Sequence, residues 1–142
     1  MGWDVLIFKL KDPTTRAKDL AESDVLSLGE APVVRGQIDA VLPGVSWADP
    51  EWGYVYMLGS HLEFNMKEWN GLHMGIHVHG AGDPVTPIVA LCRAHGWVAF
   101  DTTAGDFIDL NAPSSAGWKD FQAFRDEAIK KLLPGLPVER QN

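Results

Sequence analysis

His77-Val78-His79 places two imidazoles two positions apart, and on a β-strand both would turn to one side, about 7 Å from each other. Such a pair can share one zinc ion, with His61 or Glu63 from a neighbouring strand completing a set of His61, Glu63, His77 and His79. A tetrahedral zinc with an open position would activate water, the chemistry of a zinc-dependent hydrolase. The same pattern also suits a solvated or partner-facing sheet surface. H-x-H brings no third ligand at a diagnostic spacing and no identifiable carboxylate behind the rings. The expectation is therefore a chain without a resident cofactor, with zinc as the alternative.

Other reactive residue types have plainer roles. Cys92 falls in the apolar stripe of a helix and reads as a small core residue rather than a thiolate nucleophile. Ser114-Ser115 precedes Trp118 and suits helix capping. Asp101 and Asp106 lack the ligand spacing of a calcium loop and suit turn chemistry. Gly80-Ala81-Gly82-Asp83 precedes a helix, but the Asp83 carboxylate would occupy the position an anion needs. Tyr54 and Tyr56 share a face on which bases could stack, yet the nearest cation is Lys67. No catalytic constellation emerges, and the reading leans away from an enzyme.

The segments that position these residues are short and alternating. Trp3 to Leu10 is apolar on both faces, as in a central strand. Residues 11–29 read as a surface connection. Ala31 to Leu42 reads as a helix, with Pro32 in its first turn and Pro43-Gly44 after it. Tyr54 to Leu58, His61 to Lys67 and His73 to His79 read as three antiparallel strands. Asp83 and Pro84 open a helix that stops at Gly96. Trp97 to Asp101 is a further strand. Trp118, Phe121, Arg125, Ala128, Ile129 and Leu132 keep helical spacing. The order is β-α-β-β-β-α-β-α. The expected fold is α+β, a mostly antiparallel sheet with helices on one face, close to a ferredoxin-like variant.

Register decides which side chains share a face. Gly59-Ser60 as a two-residue turn would pair Leu58 with His61, Met57 with Leu62, Tyr56 with Glu63, Val55 with Phe64 and Tyr54 with Asn65. In the next hairpin, a tight Asn70-Gly71 turn would set apolar residues against histidines. Moving the register by one pairs Phe64 with Ile76, Leu62 with Val78, Glu63 with His77 and His61 with His79, over a loop from Glu68 to Leu72. Val55, Met57, Leu62, Phe64, Met66, Met74, Ile76 and Val78 then face inward. Tyr54, Tyr56, Leu58, His61, Glu63, Asn65, Lys67, His73, His77 and His79 face outward. Of six tryptophans, Trp3, Trp97 and Trp118 suit the core, whereas Trp47, Trp52 and Trp69 fall in turns, where loop packing and partner contact are both open.

The whole chain, 142 residues and 15.6 kDa, has the length of one domain, read as 1–133 with a flexible tail over 134–142. Nineteen acidic against twelve basic side chains give a net charge of −7, which disfavours nucleic acid as a partner. No apolar run reaches membrane-spanning length, and the N-terminus lacks the pattern of a secretory signal. One cysteine fits a reducing compartment, so the expected location is the cytoplasm.

Several runs belong together: Met1-Gly2-Trp3-Asp4-Val5, Asp49-Pro50-Glu51-Trp52-Gly53, Glu63-Phe64-Asn65-Met66, Ala99-Phe100-Asp101, Gly105-Asp106-Phe107 and Gly117-Trp118. The set, covering most of residues 1–130, resembles a group of small bacterial proteins with an N-terminal G-W-D-V and a D-P-x-W-G motif. In size, acidity and single-domain build the chain is similar to immunity proteins, the cognate inhibitors of polymorphic toxins. That resemblance implies a non-enzymatic protein-binding domain that occludes a toxin. It carries over no catalytic residue. The chain is expected to be a monomer or homodimer, and a structural or regulatory homodimer joined through its sheet face or an edge strand is a further alternative. The contacts expected on the outward face are Tyr54, Tyr56, Glu63, His77 and His79, with Trp52 and Trp69 at its rim.

Overall fold

The structure, a computed structural model, describes residues 2–114, 117–119, 122, 123 and 127. The chain is α+β, and its sheet of eight strands is antiparallel at every described pairing. In chain order come β1 (Trp3–Leu10), β2 (Val25–Leu26), α1 (Ala31–Asp39), β3 (Ser46–Asp49), β4 (Trp52–Met57) and β5 (Ser60–Asn65). There follow β6 (Met74–Gly80), α2 (Val85–His95), β7 (Val98–Asp101) and β8 (Asp106–Phe107). Across the sheet the order is β3-β4-β5-β6-β1-β7-β8, with β2 paired to the end of β1. The short strands β2, β3 and β8 lie where the sequence reads as connection or turn. Two to four residues carry too little alternation to declare a strand. The helix expected from Trp118 is helical at its described positions 118, 119, 122, 123 and 127. Its remainder and the tail 134–142 lie outside the described residues.

The core lies on one face of the sheet. Val5, Ile7, Leu62, Phe64, Ile76 and Val78 are fully buried, and they meet Val34 and Ile38 of α1 and Ile88, Leu91 and Cys92 of α2. Both helices therefore cover the same side, which removes their apolar stripes and that face of the strands from water together. Asp83 accepts hydrogen bonds from the amides of Val85 and Thr86 at 3.0 and 3.1 Å, satisfying orphan donors of the first turn of α2. Gly96, left-handed at φ 70°, ends that helix.

The β5–β6 register is the expected one: Phe64 pairs with Ile76, Leu62 with Val78, Glu63 with His77 and His61 with His79. The β4–β5 register is not. Met57 pairs with Ser60, Tyr56 with His61, Val55 with Leu62 and Tyr54 with Glu63. The turn is Leu58-Gly59 rather than Gly59-Ser60, and both residues have positive φ, 50° and 80°. Tight two-residue hairpins of type I′ require that at both central positions, and the right-handed twist of the strands selects it. Ser60 instead begins β5, buried, with its hydroxyl donating to the Ala81 carbonyl. The partners move by two positions, so the inward and outward sets are unchanged.

A leucine in the left-handed region is strained, and Leu58 is 57% exposed, so its side chain contributes little packing in return. Leu58→Asn, which supplies the favoured Asn-Gly turn, is expected to stabilise the chain by about 0.5–1.5 kcal/mol, read as a higher urea midpoint.

Trp47 on β3 lies over Gly53 on β4, where an added Cβ would fall 2.4 Å from the indole. The close approach needs that glycine. The ring packs against Phe64 with centroids 6.2 Å apart, and its N–H donates to Asp39 at 2.8 Å. Loop packing thus accounts for Trp47.

A candidate docking face on the open side of the sheet

The second face of the sheet carries a lattice of polar and aromatic side chains, built by register. One row runs Asp4, His77, Glu63, Tyr54 across β1, β6, β5 and β4. The next runs His79, His61, Tyr56. Within each row, neighbours sit directly opposite, which is why residues distant in sequence meet. His77 Nδ1–H donates to Asp4 Oδ1 at 2.5 Å. His79 Nε2 lies 3.1 Å from Glu63 Oε1, and the His77 and His79 rings meet edge to face at 4.3 Å. Tyr54 Oη and His61 Nδ1 share a hydrogen bond of 2.6 Å, while the Tyr56 ring lies 4.6 Å from the same imidazole. Gly2 backs onto His77: a Cβ there would fall 2.2 Å from the ring, so glycine lets the N-terminal strand close against the imidazole.

Every expected contact residue lies on or beside this face. His61, Glu63, His77 and His79 are half-buried. Trp52, Tyr54 and Tyr56 alternate along β4 on the open side and are 38%, 42% and 54% exposed. Trp69 is half-buried and donates its indole N–H to the Gly29 carbonyl at 2.9 Å. Beside it a depression of about 130 Å³ opens, walled by Leu6, Asn65 and His73. Gly75, without a side chain, leaves its floor open.

Of the four residues weighed as zinc ligands, His77 is taken by Asp4 and His61 by Tyr54, while His79 and Glu63 pair with each other across β6 and β5. Among the described residues no three or more His, Cys, Asp or Glu side chains are grouped so that they could hold a metal ion. The Asp4–His77 pair has the form of an oriented base. Among the described residues that imidazole meets the Asp4 carboxylate, the His79 ring and the Gly2 backbone, and no hydroxyl or thiol hydrogen-bonds to it.

Charge on this part of the chain is one-sided. From β3 to β6 the carboxylates are Asp49, Glu51, Glu63 and Glu68, and the one cation is Lys67. Cys92 stands apart from the face, fully buried, and burial pushes its thiol up to about 12. The native chain is expected to resist a thiol reagent at mildly alkaline pH. Labelling should track the fraction unfolded in urea, and stoichiometric labelling without denaturant would contradict that burial.

No described helix is long and apolar enough to cross a membrane. The chain matches no protein-family model, no curated protein and no solved structure.

Proposed function

We propose that this chain is a non-enzymatic binding protein of the bacterial cytoplasm, an immunity protein that binds and occludes a cognate toxin through the open face of its sheet. The observation that supports this most is the strip Trp52, Tyr54, Tyr56, three large aromatics exposed in line on a face that α1 and α2 leave uncovered. Exposed aromatics beside ordered polar groups are the composition of interface centres: they offer area at little conformational cost. The carboxylate excess from β3 to β6 favours a basic partner, and it would speed encounter with the cationic cleft of a toxin that handles nucleic acid or nucleotides. The strand order β5-β6-β1-β7, with α1 preceding the β4–β5 hairpin and α2 joining β6 to β7, supports reading the scaffold as a ferredoxin-like variant extended by β4.

Co-expression with the protein encoded by the adjacent gene tests the function. The expected result is a one-to-one complex and protection of the host cell. An adjacent product that neither harms the cell nor binds would contradict the reading. A zinc-dependent hydrolase on His61, Glu63, His77 and His79 is the competing account, and stoichiometric zinc lost in His77→Ala would favour it over docking.

A further inference from the structure

A cavity lies at the opposite edge of the sheet from β4, between the turn after β1, the end of α2 and the β7–β8 hairpin. Its volume, about 600 Å³, is within the range of small-molecule sites. The floor is apolar: Trp97 and Val98 are buried there, and Phe107, Ile108 and Leu110 form half-buried walls. Around this floor stand Arg16, Arg93, Asp106 and Asp109.

The four charges do not neutralise one another. Arg16 pairs with Asp19 at 3.3 Å on the surface, and Arg93 Nη2 donates to the Leu110 carbonyl. Asp106 accepts from the Phe107 amide at 2.8 Å, and Asp109 from the amides of Asn111 and Ala112 at 2.9 and 3.2 Å. Among the described residues no ion pair joins either arginine to either aspartate. Two cations and two anions thus line one apolar cavity without bridging it. A ligand with a single charge meets repulsion as well as attraction there. A ligand with both charges can place its carboxylate at a guanidinium and its ammonium at a carboxylate, each a charge-assisted hydrogen bond.

We propose that this cavity binds a zwitterionic molecule with an apolar body, of about dipeptide size. The site is separate from the docking face and does not depend on it.

Titration calorimetry of the full chain with the dipeptide Leu-Phe and its blocked forms tests this. The free dipeptide is expected to bind at least about tenfold more tightly than its N-acetyl, C-amide form, a factor that each unmade charge contact could supply alone. Arg16→Gln and Arg93→Gln should each reduce the advantage of the free carboxylate, and Asp106→Asn that of the free amine. Because Arg93 also tethers the loop at Leu110, Arg16→Gln and Asp106→Asn carry the test if Arg93→Gln unfolds. Equal affinity for free and blocked dipeptide, or no binding of either up to about 10 mM, a level at which even a weak site would fill, would overturn the proposal.

Discussion

Alanine at Trp52, Tyr54 and Tyr56 together is expected to weaken the proposed complex with a toxin at least about a hundredfold, because buried aromatic anchors each carry a large share of such an interface. The three side chains lie on the open face, so their removal takes little from the core: the inward residues Val55, Leu62 and Phe64 keep their contacts with the helices. The effect should appear mainly in the dissociation rate. Glu63→Lys should act differently. It reverses a charge at the centre of the lattice and is expected to slow association, with a dependence on salt that the aromatic variant lacks. Unchanged affinity in the aromatic variant, with a native circular-dichroism spectrum, would show that the strip is not an anchor.

Trp3→Ala is expected to cost about 3–5 kcal/mol, a large part of the roughly 5–15 kcal/mol that holds a domain of this size together. Trp3 is 1% exposed and packs against Trp118 with ring centroids 5.5 Å apart. Its indole N–H donates to Asp101 Oδ1 at 3.0 Å across ninety-eight positions of sequence. Asp101 accepts from the Thr103 and Ala104 amides as well, so one buried carboxylate closes the β7–β8 turn and ties it to β1. Asp101→Ala strands the buried Trp3 N–H and removes the acceptor of the Thr103 and Ala104 amides in the exposed turn, and should cost about 1–3 kcal/mol, since a buried unpaired donor carries its desolvation penalty. Urea unfolding followed by circular dichroism measures both. A loss below about 1 kcal/mol for Trp3→Ala would be out of line with a large aromatic truncated in a core.

Much of the candidate docking face was legible in the sequence because its residues alternate on strands with one buried side. Leu62, Phe64, Ile76 and Val78 fix which side of β5 and β6 turns to the helices, and that facing carries Glu63, His61, His77 and His79 outward together. The β4–β5 turn was misplaced by one residue because Gly59 suits the turn in either position. What selects Leu58 as the other turn residue is the burial of Ser60 beside Ala81, a contact no local pattern announces. Asp4 was missed as a member of the lattice for a similar reason: it joins His77 only because β1 lies beside β6, and strand order is not written in alternation. Asp101 read as turn chemistry, which it performs, but its bond to Trp3 depends on β7 flanking β1. The fate of Trp47 and Trp69 likewise rests on distant partners, Asp39 with Phe64 for one and Gly29 for the other.

Hydroxyl-radical footprinting of side chains, with and without the protein encoded next door, tests the proposed docking face most directly. Labelling of Trp52, Tyr54 and Tyr56 should fall sharply in the complex, while exposed positions on the helix side, such as Val33 on α1, keep their reactivity. Protection of the helix side with the three aromatics labelled as in the free chain would place the partner on the wrong surface and contradict the account.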